Sequence, residues 1–310
     1  MTILVCGSLA FDTIMVFPDH FGKHILPDRL HMLNVAFMVP EMRREYGGTA
    51  GNIGYNLKLL GESPTVMATV GHDFDPYARR MRELGLDTQH VRVVDNQFTA
   101  QAFITTDMDD NQITAFHPGA MSFAHLNKVA EAKGTRVAIV SPDGRQGMVE
   151  HARDLAAAKI PYIFDPGQGL PMFEGPDLMA MMEGAAALAV NDYEAGIVES
   201  KCGLAVTEIA RRVPAVIVTR GAEGSVIHAD GKRHEVPAVR AASVVDPTGC
   251  GDAYRAGLLY GRARGWDWRR CGELASVMGS IKIAHRGGQN HRPSRDEIAT
   301  SLREHFSQAL

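Results

Sequence analysis

The stretch Asp246-Pro247-Thr248-Gly249-Cys250-Gly251-Asp252 places a glycine-rich turn and a carboxylate at the start of a predicted helix. Gly249 and Gly251 let the backbone come close to a ligand because neither residue has a Cβ atom. The free N–H groups of the first helical turn, together with the helix dipole, favour an anion at this point. We therefore predict that this turn binds a phosphoryl group.

Asp252 lies directly beside this predicted anion site. A carboxylate in that position suits a base that takes the proton from a hydroxyl group attacking phosphorus. The alternative is an ordinary junction between a loop and a helix, in which Asp252 is a favourable charge in the first helical turn. Taken alone, this stretch leaves both interpretations open.

Two other phosphate-binding motifs are excluded by inspection. A Walker A loop ends in Gly-Lys-Ser/Thr, and the candidates Gly22-Lys23-His24 and Gly231-Lys232-Arg233 lack the hydroxyl residue. A dinucleotide fingerprint would need glycine where Tyr254 stands, and a helical pattern follows instead of a strand that ends in an acid.

The opening stretch resembles the C-terminal signature of the ribokinase-like, or PfkB, family of carbohydrate and nucleoside kinases, whose usual form is Asp-Thr-x-Gly-Ala-Gly-Asp. Pro247 and Cys250 depart from that form. The segment Gly47-Gly48-Thr49-Ala50-Gly51-Asn52 resembles the family's second signature, and the resemblance covers essentially the whole chain. It implies that Asp252 is the catalytic base and that the N–H groups of Gly249, Cys250 and Gly251 form an anion hole.

The same resemblance implies a set of substrate contacts. In the family, the N-terminal glycine pair and asparagine hold sugar hydroxyls, which corresponds to Gly48 and Asn52. Asp12 stands where the family keeps an acid that accepts hydrogen bonds from two adjacent hydroxyls, and two carboxylate oxygens suit such a diol. An acid that caps a turn is the alternative for Asp12.

Two further segments resemble the nucleoside-kinase branch of the family. They are Asp165-Pro166-Gly167-Gln168 and Gly287-Gly288-Gln289. Gln168 offers both a donor and an acceptor to a base or ribose edge, although a capped turn explains the segment equally well. Lys282 lies on the late helix that lines the adenine pocket in relatives, where a lysine on the helix surface is the commoner case.

Two motifs resemble the family's ATP-binding elements. Asn191-Asp192-Tyr193-Glu194 follows an apolar strand and resembles an Asn-x-x-Glu motif that organises magnesium and phosphate through water, which makes Glu194 a candidate metal ligand. A solvated helix start is the alternative. The second motif, residues 216–224, resembles the family's nucleotide-binding turn. It implies ATP contacts from Asn191, Thr219, Arg220, Gly221 and Gly224, whereas a plain hairpin connection is its alternative.

Composition agrees with an intracellular enzyme. The 310 residues are 45% hydrophobic and carry a net charge of −4, with no basic run, so we expect neither a nucleic-acid nor a membrane partner. Four cysteines lack metal-ligand or disulfide spacing, which favours reduced thiols in a cytoplasm. No basic leader precedes the first strand, so we expect no signal peptide.

Most of the chain alternates apolar strands with helices, which predicts an α/β fold with a doubly wound, mainly parallel sheet covered by helices on both faces. The predicted strands are 3–7, 65–70, 137–140, 162–164, 186–190 and 215–218. The predicted helices are 50–60, 76–84, 252–264, 268–285 and 294–306, and a hairpin is predicted over 225–236 with its turn at Asp230-Gly231.

Two regions, 12–46 and 95–121, break this alternation and are rich in strand-like residues. In the resembled family two such excursions pair as a small β lid over the substrate and shut out water. We therefore predict a core domain of residues 1–11, 47–94 and 122–310 and a lid of residues 12–46 and 95–121.

The lid regions also carry many aromatic and methionine side chains, which suit a nucleobase better than a plain sugar. A small sheet needs a core of its own, so each residue has that alternative. The set is Met15, Phe17, Met32, Phe37, Met38, Phe98, Phe103, Phe116 and Met121.

The resulting hypothesis is an ATP- and Mg²⁺-dependent nucleoside kinase that phosphorylates the 5′-hydroxyl of ribonucleosides, with a purine preference or broad specificity. A ribokinase-like sugar kinase is the alternative, and a nucleoside-binding protein without turnover is a hypothesis from another class. Whether a monovalent cation is needed, and whether the chain is a monomer or a homodimer, stay open.

Overall fold

The computed structural model describes residues 2–25, 31–32, 34–109 and 111–310. Within these ranges the strands form a nine-stranded and a four-stranded sheet. Residue 1 of the predicted core, and residues 26–30, 33 and 110 of the predicted lid, lie outside the described residues.

The large sheet has the strand order β13-β12-β11-β10-β9-β8-β1-β4-β5. Its strands from β11 to β5 pair in parallel, and β12 and β13 add an antiparallel hairpin at one edge. The strands are β1 (Thr2–Cys6), β4 (Thr65–Val70), β5 (Val91–Val93), β8 (Thr135–Val140), β9 (Tyr162–Phe164), β10 (Ala187–Asn191), β11 (Ala215–Thr219), β12 (Ser225–Ala229) and β13 (Lys232–Val236).

Both faces of this sheet are buried. Along β1, Ile3 and Val5 belong to one hydrophobic cluster, while Leu4 and Cys6 belong to the other. Because successive side chains of a strand point to opposite faces, a strand that is apolar at every position needs helices on both sides. The sequence prediction of a doubly wound α/β sheet is confirmed.

The helices are α1 (Thr49–Leu59), α2 (Asp75–Glu83), α3 (Arg145–Ala157), α4 (Gly175–Glu183), α5 (Asp192–Cys202), α6 (Val206–Ile209), α7 (Cys250–Ala263), α8 (Trp268–Ile283) and α9 (Arg295–Phe306). Residues of α1, α2, α7, α8 and α9 join the first cluster, and residues of α3, α4 and α5 join the second. Of the helices in the described ranges, none has both the length and the apolar character needed to cross a bilayer.

The small sheet has the order β3-β2-β6-β7 and consists of β2 (Ala10–Val16), β3 (Glu41–Gly47), β6 (Ala100–Thr106) and β7 (Gln112–His117). Strand β2 follows β1 after three residues, and β3 leads directly into α1. The loop between β1 and β2 and the turn before α1 therefore connect the two sheets. The 225–236 hairpin also forms as predicted, with φ of 53° at Asp230 and 69° at Gly231.

Candidate active site

Helix α7 begins at the glycine-rich turn that the sequence singles out. Gly249 is its N-cap and has φ of 79°, a left-handed conformation that side chains disfavour. Its Cα also faces the neighbouring loop closely, since a Cβ there would lie 3.1 Å from the Cα of Gly288. Asp252 is the third residue of the helix, one turn inside this N-terminus.

One predicted member of the anion hole has another partner. The Cys250 N–H donates to the carbonyl of Pro247 at 3.1 Å, which closes the turn. The N–H groups of Gly249 and Gly251 have no acceptor among the described residues. Of the three predicted donors, the Cys250 N–H is thus engaged in a turn and is a poor donor to a ligand, whereas the N–H groups of the two glycines remain available.

The half-buried carboxylate of Asp252 accepts a hydrogen bond from Asn52 Nδ2 at 2.8 Å. Burial raises the pKa of Asp252 to about 7; the Asn52 bond and Arg255 lower it, while the carboxylates of Asp165 and Asp12 raise it. A carboxyl group whose pKa lies near neutrality can both accept and release a proton under ordinary conditions, as a general base must.

Asn52 was predicted to hold sugar hydroxyls, and the structure gives its side chain two protein partners. Nδ2 donates to Asp252, and Oδ1 accepts from Gln289 Nε2 at 3.1 Å. Gln289 Nε2 also donates to the Tyr77 hydroxyl at 2.7 Å. The Tyr77 hydroxyl donates to the carbonyl of Gly47 at 2.7 Å, so the base is linked through α1 and α2 to the end of β3.

Arg255 and Asp165 form a buried ion pair that the sequence analysis did not identify. Arg255 Nε lies 3.0 Å from Asp165 Oδ2, and Arg255 Nη2 donates to the carbonyl of Ala189 at 3.1 Å. Burial alone would lower the pKa of Arg255, but Asp165 and Glu194 raise it. Arg255 lies one helical turn after Asp252 and lowers the pKa of that carboxyl group, but its partner Asp165 raises the same pKa, so the neutral pair does not offset the burial of Asp252.

Lys282 is fully buried and ties together the two loops beneath the anion site, unlike the surface lysine expected from its helix. Its Nζ donates to the carbonyl of Asp246 at 2.7 Å and to that of His285 at 3.0 Å. The Asp246 carboxylate in turn accepts from the Gly287 N–H at 2.8 Å. These three bonds hold the glycine-rich turn against residues 285–289.

Asp12 projects from β2 toward the same site. Burial and, to a smaller extent, the negative charges of Glu45 and Asp246 raise the pKa of Asp12 to about 6. This half-buried carboxylate has acidic neighbours and accepts no hydrogen bond from the described residues, so a pair of ligand hydroxyls would stabilise its charged form. This agrees with the predicted diol contact.

Two predicted substrate residues have other surroundings than expected. Gly48 has φ of 84°, and a Cβ there would lie 2.5 Å from the carbonyl oxygen of Ser8, so a glycine is needed where the chain passes β2. Gln168 is exposed on a short 3-10 segment, Gly167–Met172, and no hydrogen bond links it to the site residues that the structure describes. The structure thus does not bring Gln168 into the cluster around Asp252.

The predicted ATP-binding residues lie at the carboxyl ends of adjacent parallel strands. Asn191 of β10 pairs in register with Thr219 of β11. Asn191 Oδ1 accepts from the Glu194 N–H, and Glu194 Oε2 accepts from the Asn191 N–H, both at 2.8 Å. This reciprocal capping box uses one oxygen of Glu194, and burial raises the pKa of its carboxyl group.

The turn after β11 is tight. Arg220 N–H donates to the carbonyl of Gly224 at 2.8 Å, and Gly221 and Gly224 have φ of 53° and 82°. A Cβ on Gly224 would lie 2.2 Å from the carbonyl oxygen of Val236, so this glycine is required by the hairpin that follows. The turn therefore presents its backbone at the same sheet edge as Asn191.

The face of the small sheet that carries Asp12 has apolar residues from β2, β6 and β7, whereas β3 contributes the charged residues Arg43 and Glu45 to it. Asp12 lies opposite Ala102, Ala102 lies opposite Phe116, and Ile14 lies opposite Ile104, so these five residues share one face. The aromatic and methionine side chains that were predicted to contact the base lie on different surfaces of the lid. Phe103 and Met15 lie on the other face, whereas Phe17 and Phe37 pack with Phe21, their ring centroids 4.8 to 5.8 Å apart.

Comparisons with known proteins agree with this geometry. The profile described as pfkB family carbohydrate kinase matches residues 19–295. A solved nucleoside kinase of Burkholderia thailandensis, in complex with inosine, is 51% identical, covers 99% of each chain and has a TM-score of 0.91. The same protein in complex with ADP-inosine is 53% identical, covers 99% of this chain and 97% of its own, and has a TM-score of 0.88.

More distant relatives show how far the same fold extends beyond nucleoside kinases. The nucleoside kinase of Methanocaldococcus jannaschii is 32% identical over 275 residues, which are 88% of this chain and 90% of its own. A solved ribokinase of Thermotoga maritima is 20% identical, covers 98% of this chain and 99% of its own, and has a TM-score of 0.82. At that identity the ribokinase shows the shared fold and no more.

Proposed function

Because this chain belongs to the pfkB family of carbohydrate kinases and is a phosphotransferase, we propose that it is a nucleoside kinase that transfers the γ-phosphoryl group of ATP to the 5′-hydroxyl of ribonucleosides. The observation that carries the proposal is the Asp252 carboxylate. It lies one turn inside the N-terminus of α7, behind a glycine turn, with its pKa raised by burial to about 7. The identity of 51% to a nucleoside kinase supports the substrate class.

In the proposed reaction Asp252 takes the proton of the attacking hydroxyl while that oxygen bonds to the γ-phosphorus and the bond to the β–γ bridging oxygen breaks. The N–H groups of Gly249 and Gly251, at the positive end of the helix dipole, stabilise negative charge on the group in transfer. The Asn52 hydrogen bond orients the carboxylate toward that group.

Ribose binding is proposed at Asp12, with Gly48 and Asn52 shaping the floor beneath it. The buried Asp12 carboxylate, poor in protein donors, would accept from two adjacent ribose hydroxyls. The apolar residues on the same face of the small sheet, Ile14, Ala102, Ile104 and Phe116, would then cover the base. We retain the lid of residues 12–46 and 95–121 as part of this proposal, because closing it would exclude water as a competing acceptor.

ATP is proposed to lie along the edge formed by Asn191, Thr219, Arg220, Gly221 and Gly224, where Mg²⁺, held through water by Glu194, would neutralise charge on the phosphates. The donor set fits a hydrated magnesium ion. One Glu194 oxygen caps α5, and Glu194 Oε1 accepts no hydrogen bond from the described residues, so it is open to a metal-bound water. Glu194 therefore serves both the helix and the ion in this proposal.

We propose a purine nucleoside as the preferred acceptor. The Burkholderia thailandensis enzyme binds inosine, and the apolar residues that share a face with Asp12 (Ile14, Ala102, Ile104 and Phe116) suit a two-ring base. Breadth of specificity would depend on the exposed aromatic side chains of Phe116 in the small sheet and of Phe98 just before β6.

The test is ADP formation from MgATP with adenosine, inosine, guanosine, cytidine, ribose and fructose, run beside Asp252→Asn. Turnover on nucleosides that is lost in the variant supports the proposal, and the order of the rates tests the purine preference. Turnover on free sugars alone would contradict it in favour of a sugar kinase. Thermal stabilisation by nucleosides without ADP formation would contradict it in favour of a binding protein.

A further inference from the structure

A chain of hydrogen bonds runs from the carboxylate of Asp252 through Asn52, Gln289 and Tyr77 to the backbone carbonyl of Gly47. We infer that this chain allows only one assignment of donors and acceptors (its polarity), in which Gln289 Nε2 donates in both directions; this forces Asn52 to present an N–H group to Asp252 and so favours the carboxylate form of the base. Gln289 and Tyr77 are then positioning residues. The inference rests on the proposed role of Asp252 and extends it to two residues that do not hydrogen-bond to the base.

The polarity is set at the Gly47 end. A backbone carbonyl can only accept, so the Tyr77 hydroxyl must donate its one hydrogen to Gly47 O, 2.7 Å away. The oxygen of that hydroxyl can then only accept from the Gln289 amide, whose nitrogen is 2.7 Å away. Gln289 must therefore turn its NH₂ group, and not its carbonyl, toward Tyr77.

The same NH₂ group determines the orientation of Asn52. Gln289 Nε2 carries two hydrogens, and its second partner is Asn52 Oδ1 at 3.1 Å. Asn52 must meet this donor with its carbonyl oxygen, which leaves its own NH₂ group for Asp252 Oδ2 at 2.8 Å. Rotating either amide by 180° would bring two acceptors or two donors together at one of these contacts.

Burial prevents this assignment of donors and acceptors from reversing. Asn52, Tyr77 and Gln289 are exposed by only 4%, 1% and 3%. Solvent is therefore a poor substitute for a lost partner in this chain. Gln289 Oε1 is already buried with no hydrogen-bond partner among the described residues, and a reversed link would leave further buried polar groups unpaired. An isolated asparagine facing solvent could turn either end toward Asp252, whereas Asn52 cannot.

The orientation matters because the two ends of an amide have opposite effects on a carboxyl group. An N–H donor stabilises the charged form, and a carbonyl facing the acid would stabilise the protonated form. Other groups also face Asp252 from several elements: Asp12 of β2, Tyr77 of α2, Asp165 after β9, Cys250 and Arg255 of α7, and Lys282 of α8. None of their charges changes when an uncharged side chain replaces Gln289.

The experiment is the pH dependence of kcat/KM for Gln289→Met, expressed as a ratio to wild type so that titration of ATP cancels. Methionine keeps the length of glutamine and removes both donors, which frees the Asn52 amide to turn its carbonyl to Asp252. We expect the acid limb to move up by about one pH unit, the size typical of one hydrogen bond to a charged group. The variant then loses about tenfold at pH 6 and recovers by pH 9. Tyr77→Phe should shift the limb in the same direction by less.

Tyr55→Phe is the matched control. The Tyr55 hydroxyl is also buried and also donates to a backbone carbonyl, that of His291, but it makes no hydrogen bond with the side chain of Asn52 or Gln289. We expect this variant to melt at a lower temperature with an unshifted acid limb. A loss in Gln289→Met that is the same at every pH, as in a merely structural role, would overturn the inference.

A second readout needs no turnover. A raised acid pKa in the folded state makes deprotonation costly, so stability falls as the pH rises through that pKa. The difference in Tm between wild type and Gln289→Met should therefore be larger at pH 9 than at pH 6. If the wild type phosphorylates no nucleoside but this difference still grows, the polarity stands and the proposed function fails. A difference independent of pH, in both Gln289→Met and Tyr77→Phe, would overturn the inference even in an active kinase.

Discussion

Helices α5 and α7 begin at the same edge of the large sheet, and each carries an acid as its third residue. In α5 the acid is Glu194, which accepts from the backbone of its own N-cap, Asn191, while Asn191 caps Glu194 in return. In α7 the acid is Asp252, and its N-cap, Gly249, has no side chain. Asp252 bonds instead to Asn52, which lies on α1.

The difference lies in what satisfies the free N–H groups of a helix start. An asparagine cap satisfies one of them within the helix, whereas a glycine cap leaves them for a ligand. Ser294 and Glu297 close the start of α9 in the same way as α5. An acid that accepts no hydrogen bond from its own N-cap, next to helical N–H groups that no side chain caps, is therefore the combination that indicates a catalytic site.

The strongest test of this comparison replaces an acid at the third helical position by the corresponding amide. Asp252→Asn should lower kcat by about 10²-fold or more, the usual effect of losing a general base, while the asparagine oxygen still accepts from Asn52 and preserves the fold. Steady-state kinetics and thermal melting measure both quantities. Glu297→Gln, at the third position of remote α9, is the control and should leave kcat unchanged. Near-wild-type turnover by Asp252→Asn would remove Asp252 from the mechanism.

The pH profile should separate the two buried acids that face the substrate. Burial raises the pKa of Asp252 to about 7 and that of Asp12 to about 6. Only the charged forms accept a proton or two ribose hydroxyls, so kcat/KM should fall about tenfold per unit below pH 7 and more steeply below pH 6. Asp12→Asn should lose the steeper portion and raise the KM for the nucleoside. A flat profile between pH 5 and 8 would contradict the assignment of Asp252.

The capping side of the comparison predicts a smaller effect. Asn191→Ala removes the α5 cap and should destabilise the fold by about 1 kcal/mol, measured by urea unfolding. It should also raise the KM for ATP, because Asn191 lies at the proposed phosphate edge. Ser294→Ala removes the corresponding cap of α9 and should cost a similar amount without changing that KM. Equal KM values in the two variants would restrict Asn191 to capping.

The smallest effect is expected from Glu194→Gln. The glutamine oxygen can still accept from the Asn191 N–H, so the free energy of unfolding should change by no more than about 0.5 kcal/mol. The lost charge should raise the Mg²⁺ concentration needed for half-maximal activity several-fold. An unchanged magnesium titration would mean that Glu194 caps the helix and does nothing for the metal.

The sequence predicted the large sheet well because its signal is local. Each predicted strand is a short apolar run between turn residues, and predicted helices have a readable start or stop, such as Gly85 after α2. Strand β5 and helices α3 to α6 were not predicted. The sequence also singled out Asp252, since the glycines and the acid lie within four residues. For the lid, the sequence pattern predicted regions rich in strand residues. It did not predict which face of the small sheet each side chain would occupy.

The environment of Asp252 could not be predicted in the same way. Its partner Asn52 is 200 positions away, and Asn52 in turn is 237 positions from Gln289. The sequence analysis marked Gly287-Gly288-Gln289 and Asp165 as segments of interest, yet nothing local indicates that one would pair with Asn52 and the other with Arg255. The buried position of Lys282 was likewise missed, because a lysine near a helix end is usually exposed.

The sequence by itself determined the α/β architecture, the candidate phosphate-binding turn and the candidate base, because strand periodicity, helix capping and glycine conformations act over a few residues. Only the tertiary structure decided that Glu194 accepts a hydrogen bond from the N-cap of its own helix, whereas Asp252 does not. It also decided that the Asn52 side chain hydrogen-bonds to Asp252. Those outcomes depend on hydrogen bonds and burial between segments far apart in the chain. Such contacts exist only once the two sheets and their helices have packed together.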